Sequence, residues 1–365
     1  MNYLPLSQVC QINMGQSPES SSYNENGDGL PFFQGNADFG ERHPVTRVWC
    51  NAPTKIAHAG DILISVRAPI GAMNYASEEC CIGRGLAAIT PDSNKVSPEF
   101  IFWLLKGKNT ELNSKGTGST FKAIGRRVLE EVLVPDIGLE QQAEYAQVLE
   151  TIYALMEERK EQLRTLNQLI KARFVEMFGD PIANEKGWKT KPLLSMGACK
   201  NGMNFHYDDS GVELNCLGVG DFKDYSIISD TAALPMVSLN EMPSSEYLLQ
   251  DDDIVFVRSN GNKKMVGRSI AVYPGNIPTT FSGFCIRYRR MDNSVITPYL
   301  LRVFKAESMR QKMYGRGANI QNLNQQTLSS LDIPIPPKEM QEQFAAFVTQ
   351  VDKSKLSLSQ SLQIG

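Results

Sequence analysis

The chain is written twice, and any fold it adopts has to accommodate two copies of one unit. Gly116-Thr117-Gly118-Ser119-Thr120-Phe121-Lys122-Ala123-Ile124 is echoed by Gly315-Arg316-Gly317-Ala318-Asn319-Ile320-Gln321-Asn322-Leu323, 199 residues later. The same offset carries Leu129 to Leu328, Val132 to Leu331, Val134 to Ile333 and Pro135 to Pro334. Ser97-Pro98-Glu99-Phe100-Ile101 matches Thr297-Pro298-Tyr299-Leu300-Leu301 at 200, and Asp61-Ile62-Leu63-Ile64 matches Asp253-Ile254-Val255-Phe256 at 192. Pro5-Leu6 pairs with Pro192-Leu193 at 187, and Glu140-Gln141 with Glu342-Gln343 at 202. Offsets that drift by a few residues are what loop insertions leave in a duplicated unit.

Each copy has the same grammar. Short apolar, β-branched runs after turn residues, at 61–66 and 253–257 and again at 86–90 and 284–288, read as buried strands. Segments 98–106 and 298–313 open with proline and continue with apolar residues at helical spacing, so each reads as one helix. A glycine-rich loop, a short helix and an apolar strand closing at Pro135 or Pro334 complete a mixed α/β (α+β) unit.

A different texture follows each unit. From Leu139 to Phe178 there is neither proline nor glycine, and Leu149, Met156, Leu163, Ile170 and Met177 recur every seven residues, with Ile152 and Leu166 between them. A helix of that length spans about 60 Å at 1.5 Å per residue, more than one small domain can cover, so it calls for a partner helix. Gly179-Asp180-Pro181 stops it. Phe344, Val351 and Leu358 repeat the pattern in a shorter second helix. The expected layout is therefore two similar globular domains, 1–137 and 181–337, joined by antiparallel coiled-coil helices at 138–180 and 338–365.

At 365 residues, with 42% hydrophobic and 21% charged residues, the chain suits a folded globular protein of two or three domains. No apolar run of about 18 residues offers a membrane span, and the start lacks the pattern of a secretory signal; a cytoplasmic location is expected. Seven cysteines and three histidines (His43, His58 and His206) form no CxxC pair or zinc ligand set, so reduced thiols and no metal are expected. The net charge of −3 argues against a bare nucleic-acid binder. Its distribution matters more than the sum: residues 254–328 hold twelve Lys and Arg against Asp292 and Glu307, which on charge alone suits a solvated face as well as a nucleic-acid surface.

No catalytic signature emerges. Leu217-Gly218-Val219-Gly220-Asp221 imitates a cofactor-cradling glycine motif without its acidic-ended strand and reads as a turn. Pro336-Pro337-Lys338 lacks the residues of a base-gripping methyltransferase motif. Gly261 to Ser269 is one residue too long for a phosphate loop and carries Arg268 in place of its lysine. No paired acids have metal-nuclease spacing.

The loops carry other chemistry. In the first copy Lys115, Thr117, Ser119, Thr120 and Lys122 surround two glycines, and Arg42, His43, Arg47, Arg67 and Arg84 lie upstream. In the second copy Arg316, Asn319, Gln321 and Asn322 take the same place, and Arg258, Asn260, Asn262, Lys263, Lys264 and Arg268 follow a strand. Lys, Ser and Thr suit phosphates, whereas Arg, Asn and Gln offer the bidentate pairings that distinguish guanine and adenine. For any one of them a solvated or capping role is the commoner fate. As a set in two matching loops they point to nucleic acid.

The strand Gly60-Asp61-Ile62-Leu63-Ile64-Ser65, the loop Gly116 to Phe121, the close Val132-Leu133-Val134-Pro135, the Glu-Gln pairs opening both long helices and the Phe178-Gly179-Asp180-Pro181 stop resemble specificity subunits of type I restriction–modification systems. The resemblance implies two target recognition domains, each reading half of a bipartite double-stranded DNA sequence. It implies helices that fix the unread spacer and dock two methylation subunits, and a further restriction, or motor–nuclease, subunit. No cofactor is then expected on this chain; S-adenosylmethionine and ATP with Mg would serve the partners. The second helix, about half as long as the first, departs from symmetric docking. Two alternatives stay open: a diverged fused methyltransferase or nuclease, and a scaffold or anti-restriction decoy that reads no DNA.

Overall fold

The computed structural model describes residues 2–118, 122–205, 210–222, 227–314 and 322–363. The expected contacts at Ser119, Thr120, Arg316, Asn319 and Gln321 lie outside these residues. The chain forms two compact units, Met1–Glu158 and Arg159–Gly365.

Unit 1 is built on a four-stranded antiparallel sheet of β1 (Cys10–Met14), β2 (Ile62–Ser65), β3 (Met73–Tyr75) and β4 (Leu86–Pro91), in the order β1-β4-β2-β3. Its strands are short apolar runs, with β2 buried along its whole length. One face packs on α1 (Pro98–Gly107), where Ile62, Ile64, Ile89 and Ile101 share a core. Ser97 caps α1 by accepting a hydrogen bond from the Phe100 amide, with Pro98 at the helix start as the sequence predicts. A second sheet joins Leu30–Phe33 to Cys80–Ile82 in parallel. From Leu139 to Phe178 runs α2, 40 residues without interruption, and it ends where Gly179 takes φ +75°, the left-handed C-terminal geometry that glycine adopts without a Cβ penalty.

Unit 2 repeats the plan. β5 (Gly197–Asn201), β6 (Asp253–Val257), β7 (Ser269–Val272) and β8 (Cys285–Arg290) pair in the order β5-β8-β6-β7, with Ile227–Ile228 added in parallel beyond β7. α3 (Thr297–Lys305) covers this sheet, and α4 (Lys338–Gln363) follows. The single helix expected over 298–313 is in fact two. Ala306 turns extended after α3, and a separate helix begins at Glu307.

A buried glutamine in each unit fixes the register of the duplication. Gln142 accepts from the Ser97 amide and donates to the carbonyls of Lys95 and Ile137. Gln341 accepts from the Ile296 amide and donates to the carbonyls of Ser294 and Pro336. Every partner is related by 199. The Glu140-Gln141 to Glu342-Gln343 match at 202 is therefore not the structural one, and Pro298 sits one position further into its helix than Pro98 does. These amides tie the start of each long helix to the start of its sheet-covering helix.

The heptad column does not behave as one seam. Ile170 and Met177 are buried, together with Phe174 and Phe178, in a core that also holds Phe344 and Val351, with Leu166 packed against it. Phe344 meets the rings of Phe174 and Phe178 at 5.5 and 5.6 Å, so the end of α2 lies beside the start of α4, as an antiparallel pair requires. Met156, Leu163 and Leu358 are half-buried, but Leu149 and Ile152 are exposed. A straight α-helix drifts about 20° per heptad, so Leu149 lies about 60° round from Ile170. Unit 1 instead packs Ala146 and Tyr153 against its core. With Phe100 and Trp103, the exposed Tyr145, Val148 and Leu149 line a groove of about 850 Å³. In unit 2 the residues 199 positions on from Phe100 and Tyr145, namely Tyr299 and Phe344, pack on Phe174 and Phe178, Tyr299 stacked on Phe174 and the other pairs edge to face.

Candidate nucleic-acid interface

Both sheets end in the same construction. Past β2, the Val66 amide bonds to the Gly85 carbonyl at 2.9 Å, and the Val66 carbonyl accepts from Ile124 at 2.9 Å. Past β6, the Arg258 amide bonds to the Phe284 carbonyl at 2.8 Å, and the Arg258 carbonyl accepts from Leu323 at 2.9 Å. The residue that closes each repeated run, Ile124 or Leu323, is thus stitched to the loop after the second strand of its sheet. The backbone equivalent of Arg258 is Val66, and that of Arg67 is Ser259.

In unit 1 this edge brings together Arg67, Arg84, Thr117 and Lys122, all exposed. The Ala68 amide bonds to the Lys122 carbonyl at 3.0 Å, Arg67 bridges Ala123, and Thr117 and Ala123 exchange two backbone bonds. Gly85 is required there: a Cβ would stand 2.3 Å from the Gln34 carbonyl oxygen. Lys115 is exposed but tied to Glu111 at 2.7 Å, and hydrogen bonds from Lys115 and Lys108 hold that carboxyl at about 2.

Arg42 and His43 lie elsewhere. The Arg42 guanidinium stands over Phe102, Trp103 and Tyr153 at 4.9–5.3 Å and pairs with Glu150. Its cation–π stacking clamps the loop to α1 and α2. His43 Nδ1 meets the Tyr75 carbonyl. Arg47 is exposed, and nothing among the described residues joins it to the Arg67 edge.

In unit 2 the corresponding edge holds Arg258, half-buried, with Nη1 donating to the Gly283 carbonyl at 3.3 Å. Arg268 donates to the Phe222 carbonyl at 3.3 Å. Lys263 and Lys264 are exposed on a turn built by its own asparagines: Asn260 accepts from the Asn262 amide, and Asn262 from the Lys264 amide. Arg310 fastens the turn from below, donating to the carbonyls of Lys264 and Val266. Asn322 is exposed. The sequence reading passes over Phe284, 60% exposed, whose carbonyl accepts from both Arg258 and Ser259. Its counterpart is Gly85, so the repeat pattern carried no aromatic signal there.

The basic run at 254–328 does not form one surface. Arg287 is buried, Arg289 pairs with Asp253, and Arg290 lies 3.9 Å from Asp252. Burial, with Arg302 and Lys355 nearby, pushes Lys305 down to about 7. Among the described residues, those that reach the edge are Arg258, Lys263, Lys264 and Arg268.

The imitation motifs resolve as turns. Asp221 accepts from the Gly218 amide at 2.8 Å, and in unit 1 Asp38 accepts from the amides of Gln34 and Gly35 in the same way. Gly267 leads into a strand, β7, rather than the helix a phosphate loop needs. All seven cysteines are free. Among the described residues no group of three or more His, Cys, Asp or Glu is placed to share a metal ion, and no helix is long and apolar enough to cross a membrane.

Two copies of one α/β unit, each ending in a stitched loop edge that carries exposed cations, define a paired recognition module. The family described as the type I restriction modification DNA specificity domain matches residues 1–165 and 221–364. The chain belongs to that family. It is 45% identical over 152 residues to a Methanocaldococcus jannaschii protein assigned as the specificity subunit of the type I enzyme MjaX, covering 41% of this chain and 36% of the relative. It is 24% identical over 296 residues to the StySPI specificity subunit of Salmonella potsdam, covering 75% and 62%. The matched stretches thus span less than two thirds of these relatives' own length. A solved type I restriction–modification S subunit from M. genitalium shares the fold over 99% of this chain and 92% of its own, with TM-score 0.56 and 14% identity.

Proposed function

We propose that the chain is the DNA specificity subunit of a type I restriction–modification complex, with each α/β unit reading one half of a bipartite double-stranded target. The observation that carries this reading is the loop edge built twice at the end of equivalent strands. Lys122, Lys263 and Lys264 suit phosphates, while Arg67, Arg84 and Arg258 have the fork that pairs with guanine edges. The recognition domains are 1–137 and 181–337, and the helical segments 138–180 and 338–365 set the spacer. Val148, Leu149, Ile152 and Leu155, exposed on α2, offer a helical face to methylation subunits. The chain itself is non-catalytic in this reading. S-adenosylmethionine is used on the methylation subunits, and ATP with Mg on the restriction subunit.

The test is modular exchange. With residues 1–135 replaced by the first domain of another specificity subunit, mapped adenine methylation should change in one half of the motif and keep the other. Change in both halves, or in neither, defeats the reading.

Within unit 2, Arg258→Ala at a base-reading site should lose about 1–3 kcal/mol of binding and relax one motif position; at a phosphate site it should weaken all sequences alike. Phe284→Ala should cost a comparable amount if the exposed ring stacks on a base or sugar. Full affinity in both variants, measured as salt-dependent duplex binding by the assembled complex, removes this edge from the interface.

A further inference from the structure

On one face of the unit 2 sheet, Lys200 of β5 stands directly opposite Arg287 of β8, and Ala198 stands opposite Arg289. Like charges directly across a sheet are unfavourable, and this pair is not relieved from within. Arg287 is 5% exposed, and among the described residues its Nε has no hydrogen-bond partner. The nearby carboxylates are committed: Asp253 receives Nε and Nη2 of Arg289 at 2.8 and 2.7 Å, and Glu246 pairs with Lys200. Among the described residues three cations face two carboxylates, which leaves one positive charge over.

The fold does not need an arginine there. The unit 1 residues 199 positions back from Arg287 and Arg289 are Ala88 and Thr90. Across from Ala88 stands Asn13, which donates to the Ile56 carbonyl, while the Thr90 hydroxyl donates to Asp61. The same sheet position is thus neutral and satisfied in one copy, charged and unpaired in the other. Burying an unpaired guanidinium is costly, so its presence in only one copy asks for a counter-charge from outside the fold. The side chain opens onto a cleft of about 340 Å³ in which Lys200, Ser245, Glu246 and Arg289 stand beside Ala198 and Met291.

We propose that this cleft binds a phosphate oxyanion, with Arg287 as the buried anchor and Lys200 and Ser245 at its sides. Arg287 supplies the planar fork that suits phosphate oxygens, the Ser245 hydroxyl a neutral donor, and one added negative charge balances the site. Where DNA supplies the phosphate, the proposal rests on the DNA-recognition reading above; a free phosphate would not depend on it.

The experiment compares the full chain with its Arg287→Met variant. Thermal unfolding is followed against inorganic phosphate, with chloride at matched ionic strength as control, and mixed-sequence duplex binding is measured across a salt series. Wild type should show a saturable rise in melting temperature specific to phosphate. Arg287→Met should lose that response while remaining at least as stable in chloride, since an unpaired buried charge has been removed. A salt slope lower by about one unit in the variant assigns the phosphate to DNA. An unchanged slope with a lost thermal response assigns it to a free phosphate. Equal thermal responses together with equal slopes overturn the proposal. So does a variant destabilised in chloride that still responds to phosphate as wild type does, because Arg287 would then serve folding alone. Duplex binding that persists in the variant leaves the wider DNA reading standing.

Discussion

Asp253→Ala is expected to cost about 3–5 kcal/mol of folding stability, the range for breaking one side of a buried ion pair. The carboxylate is 1% exposed and accepts three hydrogen bonds, from the Gln250 amide at 2.8 Å and from two nitrogens of Arg289. Without it, Arg289 and the already unpaired Arg287 lie side by side with no carboxylate between them. Unit 1 supplies the internal control. Asp61 sits at the same place, accepts the equivalent backbone bond from His58, and meets a threonine hydroxyl at 2.6 Å in place of an arginine. Importing that solution as Arg289→Thr should cost less than Asp253→Ala. The Asp253 carboxylate keeps the Gln250 amide and gains a threonine hydroxyl, as Asp61 has from Thr90, while a cation beside Arg287 is removed. Chemical denaturation of both variants checks the asymmetry. A loss below about 1 kcal/mol for Asp253→Ala would mean that Arg289 finds solvent or another acceptor.

The duplication, the strand and helix order and the long helix were legible because each leaves a periodic or repeated trace. β-branched runs became β2 and β6, and the proline-and-glycine-free stretch became α2. The internal register was harder. Matching Glu-Gln pairs gave an offset of 202, while the structure places Gln142 and Gln341 at 199. A glutamine conspicuous only for what it bonds to after folding carries no signal beforehand. The break at Ala306 was hidden as well, since the helical pattern continues on both sides of it. Linear charge misled most. Twelve basic residues follow one another closely in sequence, but strand alternation sent Arg287 and Arg289 to one face of β8, where Arg287 is buried. Helix α3 took Arg302 and Lys305, whereas Lys263 and Lys264 on their turn and Lys312 on the following helix stayed exposed. Arg42 shows the same limit from the other side. An arginine near the recognition loops in sequence folds onto three aromatic rings whose positions are set only when α1 and α2 pack. Phe284 escaped because its partner in the repeat is a glycine, so the feature most specific to unit 2 is the one that repetition cannot reveal.

Four residues inserted after Gln162 in α2 are expected to lengthen the unread spacer of the methylated motif and leave both half-sites unchanged. The added helix is about 6 Å long at 1.5 Å per residue, close to two base pairs at about 3.4 Å each. The site is chosen from the packing. The nearest residues of α2 buried in a core are Ala146 on one side and Ile170 on the other, whereas Leu155 between them is exposed. An insertion at 162 therefore lies outside both cores, among residues with high helix propensity. The glutamine bonds at Gln142 and the aromatic cluster at Phe174 and Phe178 should survive it, with melting temperature nearly unchanged. Four residues add one turn and about 40° of rotation, and seven add two turns with a residual of about 20° in the opposite sense. The seven-residue insertion should move the spacer by about three base pairs and tests whether length or rotation governs the outcome. A folded variant that methylates with the original spacer would show that α2 does not set the distance between the half-sites. Loss of methylation with intact folding in the four-residue variant, but not in the seven-residue one, would show that rotational phase matters more than length.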